Sequence, residues 1–198
     1  PQVKTLKAAV VDRREAMQLL MGYNSFNGYV WNKLFDLQLI RKNDIRFHAD
    51  YPACEDTMFV GSYLYHCSRV CVTEECLYCY RQVSGGANRG RYSGRKAYDP
   101  KWMSVFEMTE YMADLYKDDA VTAACRLHEV REAGIVLRSM EAAGYHGADH
   151  ARLKGILRRG ASLFFRDENS GRSQKLSVLL SCISPKLELA VWKLRNRK

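Results

Sequence analysis

Trp31-Asn32-Lys33-Leu34-Phe35, Ile45-Arg46-Phe47, Cys54-Glu55-Asp56-Thr57-Met58-Phe59 and Leu77-Tyr78-Cys79-Tyr80-Arg81 follow one another between positions 31 and 81. Trp31, Leu34, Phe35 and Leu37 to Leu39 fall at helical spacing and predict a helix to about Arg41. Ile45-Arg46-Phe47 alternates like a short half-buried strand. Pro52 ends a loop, and Glu55-Asp56 opens a helix running through Phe59, Tyr63 and Leu64 to about His66. Val70-Cys71-Val72, Thr73-Glu74-Glu75 and residues 76–81 then read as strand, turn, strand. Short strands mixed with helices make this part of the chain α/β.

Upstream, Asp12-Arg13-Arg14-Glu15 has the D-x-x-E form of a capping box. It starts a helix whose Ala16, Leu19 and Leu20 share a face and which stops at Gly22. Downstream, a Gly/Ser/Arg-rich loop covers 84–96, and beyond it the pattern is helical. Trp102, Val105, Phe106, Thr109 and Met112 form one apolar stripe. Leu153, Ile156, Leu157, Gly160 and Phe164 form another. Ser184-Pro185 is an N-cap followed by proline at the first helical position. The organisation expected is residues 1–96 as the α/β part and 97–198 as a helical C-terminal region.

The 198 residues are 47% hydrophobic and 11% aromatic, a globular composition that excludes disorder and a coiled-coil rod. No apolar run approaches the roughly 18 residues that span a bilayer. Seven cysteines without a framework pattern favour reduced thiols, so the expected location is cytoplasmic. The formal charge of +9 is confined to one end: residues 1–150 carry 19 basic and 19 acidic side chains, residues 151–198 carry 12 against 3. A one-ended field of this sign attracts polyanions: nucleic acid, anionic lipid or phosphorylated substrate. Basic amphipathic helices also fit peripheral attachment to the anionic inner face of a membrane.

The residues leave their chemistry open. Glu55 and Asp56 suit a helix N-terminus, where acidic groups are common and capping is the commoner role; Asp56 there also fits a general base held ionised by the helix dipole. Lys33 and Arg81 are either surface charges or cations for a leaving phosphate. Trp31, Tyr78 and Tyr80 are either core aromatics or flat faces for sugar rings. Ser84, Arg89, Arg91 and Arg95 lie in a segment that reads as a lid or as a plain loop. Of Cys67, Cys71, Cys76 and Cys79 only the last pair has zinc-knuckle spacing, and no second C-x2-C or H-x3-H accompanies it. His146 and His150, four apart, either bind a metal or, flanking a Gly-bearing loop, are simply solvent-exposed, which is the commoner outcome.

The four elements between 31 and 81 resemble the C-terminal third of the catalytic domain of bacterial family-2 glycosyltransferases, which build capsule, exopolysaccharide and teichoic-acid-like polymers. In that family a W-N-K-L segment, an x-R-F strand, an E-D-x-x-F helix start and a Y-x-Y-R strand precede a Ser/Arg-bearing loop. The helical tail down to Ile183-Ser184-Pro185-Lys186-Leu187 looks like the tails of such enzymes. The resemblance implies a partial glycosyltransferase A-type fold without its N-terminal nucleotide-binding half, since neither P-x-Y-N nor D-x-D occurs where the family has them. It implies an inverting transferase that moves a sugar from a nucleotide-sugar to a glycan or lipid-linked acceptor, with Asp56 as base and Glu55 beside it. Trp31, Asn32, Lys33, Tyr80, Arg81, Ser84 and Arg91 would be substrate-binding. A divalent metal, Mg or Mn, would be held mainly by residues outside this chain, and the chain alone would be inactive. An exposed apolar surface where the absent sheet would pack, favouring self-association, is expected too. The rival reading is a non-catalytic basic helical module docking on anionic membrane or nucleic acid through 151–198; the enzyme reading assigns no nucleic-acid partner.

Overall fold

Asp12 holds extended backbone (φ −80°, ψ 174°) and its carboxylate accepts the Glu15 N–H at 2.8 Å. Helix α1 (Arg13–Met21) therefore begins where the capping pattern predicts, and Gly22 closes it by donating its N–H to the Leu19 carbonyl. In this computed structural model residues 8–22, 26–73, 75, 77–79, 81 and 98–196 are described, and helix accounts for 66% of the structure. The chain forms two units: residues 1–81 with 103–128, and residues 82–102 with 129–198. Residues 103–128, which belong by sequence pattern to the helical tail, thus pack in the first unit.

In the first unit α1 packs on α3 (Glu55–Tyr65), and α3 on α4 (Ser104–Tyr116). Gly61 makes the second contact close: a Cβ there would lie 2.7 Å from the Met112 sulfur. Met17, Met21, Met58, Met108 and Met112 fill the core between these helices, where flexible thioether chains suit uneven gaps. The predicted stripe of α4 is buried throughout, from Val105 and Phe106 to Thr109 and Met112. Strand β1 (Ala9–Val11) pairs antiparallel with β2 (Val70–Val72), in the register Ala9↔Val72, and Val11 and Val72 face the same core.

Three expectations need correction. The helix expected from Trp31 to Arg41 shortens to α2 (Leu37–Lys42), because the Asp36 carboxylate accepts the Gln38 N–H at 2.8 Å and sets a later N-cap. The Asp36 N–H in turn donates to the Tyr63 hydroxyl at 2.8 Å. Phe35 packs edge-on against Phe59 and Tyr63, Trp31 stacks elsewhere, and Leu34 is fully exposed, so these residues share no face. Ile45-Arg46-Phe47 joins no ladder: the Ile45 N–H returns to the Ile40 carbonyl, and Phe47 lies flat on Phe59 at 4.4 Å. Among the described residues 77–79 and 81 there is no strand, and β2 takes β1 as its partner instead. The described chain is therefore mostly helical with one small two-stranded sheet. Among the described residues of this unit, Val10, Leu34, Leu37, Phe47 and Leu77 are exposed apolar side chains, as are the rings of Tyr29, Tyr78 and Tyr111.

Helix α5 (Asp119–Ala143) supplies Val121 and Cys125 to the first core. Asp118 caps it through the Ala120 and Val121 N–H groups, and those bonds, with the Arg14 guanidinium, hold its carboxyl below the usual range. In the second unit, α5 from residue 129 onward is joined by α6 (Ala148–Arg166), α7 (Arg172–Ile183) and α8 (Pro185–Arg195). Gly160 of α6 meets the Val130 methyl group at a distance no Cβ could share. Ser184 starts α8 as predicted, its hydroxyl accepting the Leu187 N–H at 3.4 Å. A buried ion pair crosses the unit: Arg138 donates twice through Nε and once through Nη2 to the Glu188 carboxylate, at 2.7 to 3.1 Å.

Candidate functional site

The site is built where the segment 26–33 lies on the first turn of α3. Asn27 takes a left-handed conformation (φ 55°), and Gly28 follows it. Gly28 comes so near α3 that a Cβ would sit 2.7 Å from Thr57 Cβ and 2.8 Å from its Cα. Only a residue without a side chain permits that approach. Lys33 then clasps the segment: its ammonium donates to the carbonyls of Asn27 and Tyr29 at 2.7 Å, to Asn32 Oδ1 at 2.8 Å and to the Phe26 carbonyl at 3.2 Å. It also lies over the Phe26 ring, 5.1 Å from its centre.

Burial lowers the Lys33 pKa from 10.5 to about 8, and the negative charge of Asp56 opposes that shift. Two residues singled out in the sequence are thereby brought within electrostatic reach of each other. Asp56 is half-buried in the first turn of α3, and its carboxylate accepts no hydrogen bond from the described residues. Glu55 beside it is exposed. Neither carboxylate is consumed in capping, and Cys54, at the N-cap position, makes no side-chain cap.

Trp31 forms the middle of an aromatic stack, with Tyr29 at 5.1 Å and Tyr78 at 4.6 Å between ring centres. Tyr29 and Tyr78 remain about half exposed. Asn32 donates to the Phe26 carbonyl at 3.4 Å and belongs to the clasp. Arg81 is exposed and joins none of these contacts. Tyr80, Ser84, Arg89, Arg91 and Arg95 lie outside the described residues. Sequence reasoning overlooked Tyr29 and Gly28; the signals available were the Asn27-Gly28 turn dipeptide and the Tyr-x-Trp spacing after it.

No family model, curated protein or solved structure matches this chain. Its chemistry has to be read from the geometry.

A cavity of about 520 Å³ opens near Arg13, His66, Cys67 and Tyr116, toward the C-terminal end of α3. The eleven residues of α3 span roughly 16 Å, so the cavity lies well away from Asp56. Arg13 there is bound to the Tyr65 carbonyl and ring, and Arg14 to Asp118. Burial pushes the Cys67 thiol and the Tyr116 hydroxyl up, away from reactive forms. The described residues around Asp56 offer no set of oxygen ligands for Mg or Mn. The one group of three metal-ligating side chains among the described residues is Glu141, His146 and His150, in the other unit and rich in nitrogen.

The depressed Lys33 pKa fixes the sign of a pH effect. Above about pH 8 the folded chain sheds this proton while the unfolded chain keeps it to about 10.5. The stability of the first unit relative to a Lys33→Met variant should therefore rise as the pH climbs from 8 toward 10.5, as measured by urea unfolding at a series of pH values. A relative stability that falls over this window contradicts the assignment.

Proposed function

We propose that this chain supplies the acceptor-side half of an inverting glycosyltransferase acting in cell-surface polysaccharide synthesis. A single observation carries the proposal: the Asp56 carboxylate, free of hydrogen bonds from described residues, stands at a helix start beside a segment clasped by Lys33 and faced with aromatic rings. As the acceptor hydroxyl oxygen attacks the anomeric carbon, its proton passes to an Asp56 oxygen. The bond from that carbon to the diphosphate breaks, and the nucleoside diphosphate leaves with the electron pair. Lys33 keeps the wall of the site in place through its four acceptors. The half-exposed Tyr29 and Tyr78 rings, held in place by stacking on Trp31 between them, offer flat apolar faces to the C–H face of a sugar. Arg81, exposed and uncommitted among these contacts, supplies positive charge for the leaving diphosphate.

The test is turnover in a polypeptide that joins this chain to the donor-binding half implied by the resemblance. Release of nucleoside diphosphate from a nucleotide-sugar, dependent on residues 31–81, is expected. Donor binding without any transfer or hydrolysis contradicts the proposal.

A second reading, peripheral docking on an anionic membrane, is favoured by α7. Leu176, Leu179 and Ile183 make an exposed apolar stripe at 43%, 44% and 67% exposure, within the segment that carries the excess basic charge. Leu194 of α8 is likewise 62% exposed. Such a face inserts apolar side chains while Lys and Arg meet lipid phosphates. The chain should co-sediment with phosphatidylserine vesicles at low salt, less so at high salt, and a Leu179→Glu/Ile183→Glu variant should lose most of that binding. Equal sedimentation by the variant, or binding to oligonucleotides alone, overturns this reading.

A further inference from the structure

We propose that Glu141, His146 and His150 form a transition-metal site, of the class that takes Zn2+, joining the end of α5 to the start of α6. The backbone sets the three residues first. Gly144 turns left-handed (φ 69°), the Tyr145 N–H returns to the Met140 carbonyl at 2.9 Å, and the His150 N–H closes the first turn of α6 on the Gly147 carbonyl. Tyr98 braces the same turn, donating to Asp149 at 2.9 Å and packing on the Tyr145 ring at 4.7 Å. These contacts bring together side chains five and four positions apart that straddle a helix break.

The Glu141 side chain is 4% exposed, that of His150 13% and that of His146 49%. His150 Nε2 lies 2.8 Å from Glu141 Oε1, and His146 Nδ1 lies 3.9 Å from the same oxygen. All three donor atoms fall within 4.8 Å of one another. A tetrahedral ion bonded at about 2.0–2.1 Å spaces its ligands about 3.4 Å apart, between the two observed distances. To hold an ion, His146 Nδ1 must move about half an ångström closer to Glu141 and His150 Nε2 must open from it by a similar amount, exchanging its direct contact for a bond to the metal. His146 packs edge-on against His150, 5.0 Å between ring centres, with its Nδ1 on the side of the same Glu141 oxygen, so both imidazoles are already gathered on one carboxylate. Two imidazoles and a carboxylate suit Zn2+ or Co2+ over Mg2+ or Ca2+, and the exposed side at His146 leaves a fourth position for water. The site stands independently of the sugar-transfer reading, since it uses none of the residues near Asp56.

The experiment is a titration of the whole chain with Co2+ alone, followed by Zn2+ displacement. One equivalent should bind with the visible bands of four-coordinate cobalt and no thiolate-to-cobalt charge transfer, and Zn2+ should raise the melting temperature. His146→Ala alters an exposed side chain and should keep the fold. It and His150→Ala should each weaken binding by at least about 100-fold, the upper range seen when even an outer partner of a ligand is removed. A thiolate band would place the metal on the cysteines and overturn the site. So would affinity unchanged in His146→Ala, or no binding at micromolar metal.

Discussion

Glu188→Ala is expected to lower the stability of the second unit by about 3–5 kcal/mol, the range for removing one partner of a buried ion pair. The Glu188 side chain is 3% exposed and that of Arg138 12%. The Ser177 hydroxyl donates to the same carboxylate at 2.7 Å, and the Arg138 guanidinium lies 5.2 Å from the centre of the Trp192 ring. Truncating Glu188 leaves a buried cation with the serine oxygen and one aromatic face, which together do not replace a bidentate carboxylate. Glu188→Gln keeps the shape and one acceptor and should cost less. An Arg138→Met/Glu188→Leu double variant should come out near neutral, because it removes both desolvation penalties together. Urea unfolding of the four chains checks the order. A double variant as unstable as Glu188→Ala would show that packing, and not the orphaned charge, sets the loss.

What sequence reasoning recovered here is what short-range side-chain bonds dictate. Asp12 and Ser184 capped the helices predicted for them because each reaches a backbone N–H three residues on, a distance visible in the sequence itself. The helix expected from Trp31 failed for the same kind of reason: Asp36 caps a later start, and Phe35 is drawn to Phe59 and Tyr63, partners more than twenty residues away. Strand β1 is three residues long and acquires its identity only by pairing with β2 some sixty positions downstream, so no local period announces it.

The site divides in the same way. Asp56 and Lys33 were legible as residue types at informative positions. The clasp was not, because the acceptors around Lys33 are mostly backbone carbonyls, which every sequence possesses. Glu141 escaped notice beside His146 and His150 because a left-handed glycine at 144 separates it from them and breaks the helical count. Residue chemistry shows through the sequence, whereas convergence across a turn depends on backbone geometry.

The second large effect concerns Asp56. Asparagine matches its size and cannot take a proton, so Asp56→Asn should reduce kcat for sugar transfer by about 10²–10⁴, the usual contribution of a positioned base. Donor affinity should hold, because the role proposed for Asp56 is on the acceptor hydroxyl. Glu55→Gln, altering an exposed group in the same turn, should change kcat far less. A fall in both variants alike would point to the helix terminus as a whole.

The most direct measurement is single-turnover transfer from a nucleotide-sugar by this chain joined to a donor-binding half of the kind the proposal requires, with aspartate or asparagine at position 56. A rate lowered at least a hundredfold by asparagine, at unchanged donor affinity, is the predicted result. Equal rates for the two chains would contradict it.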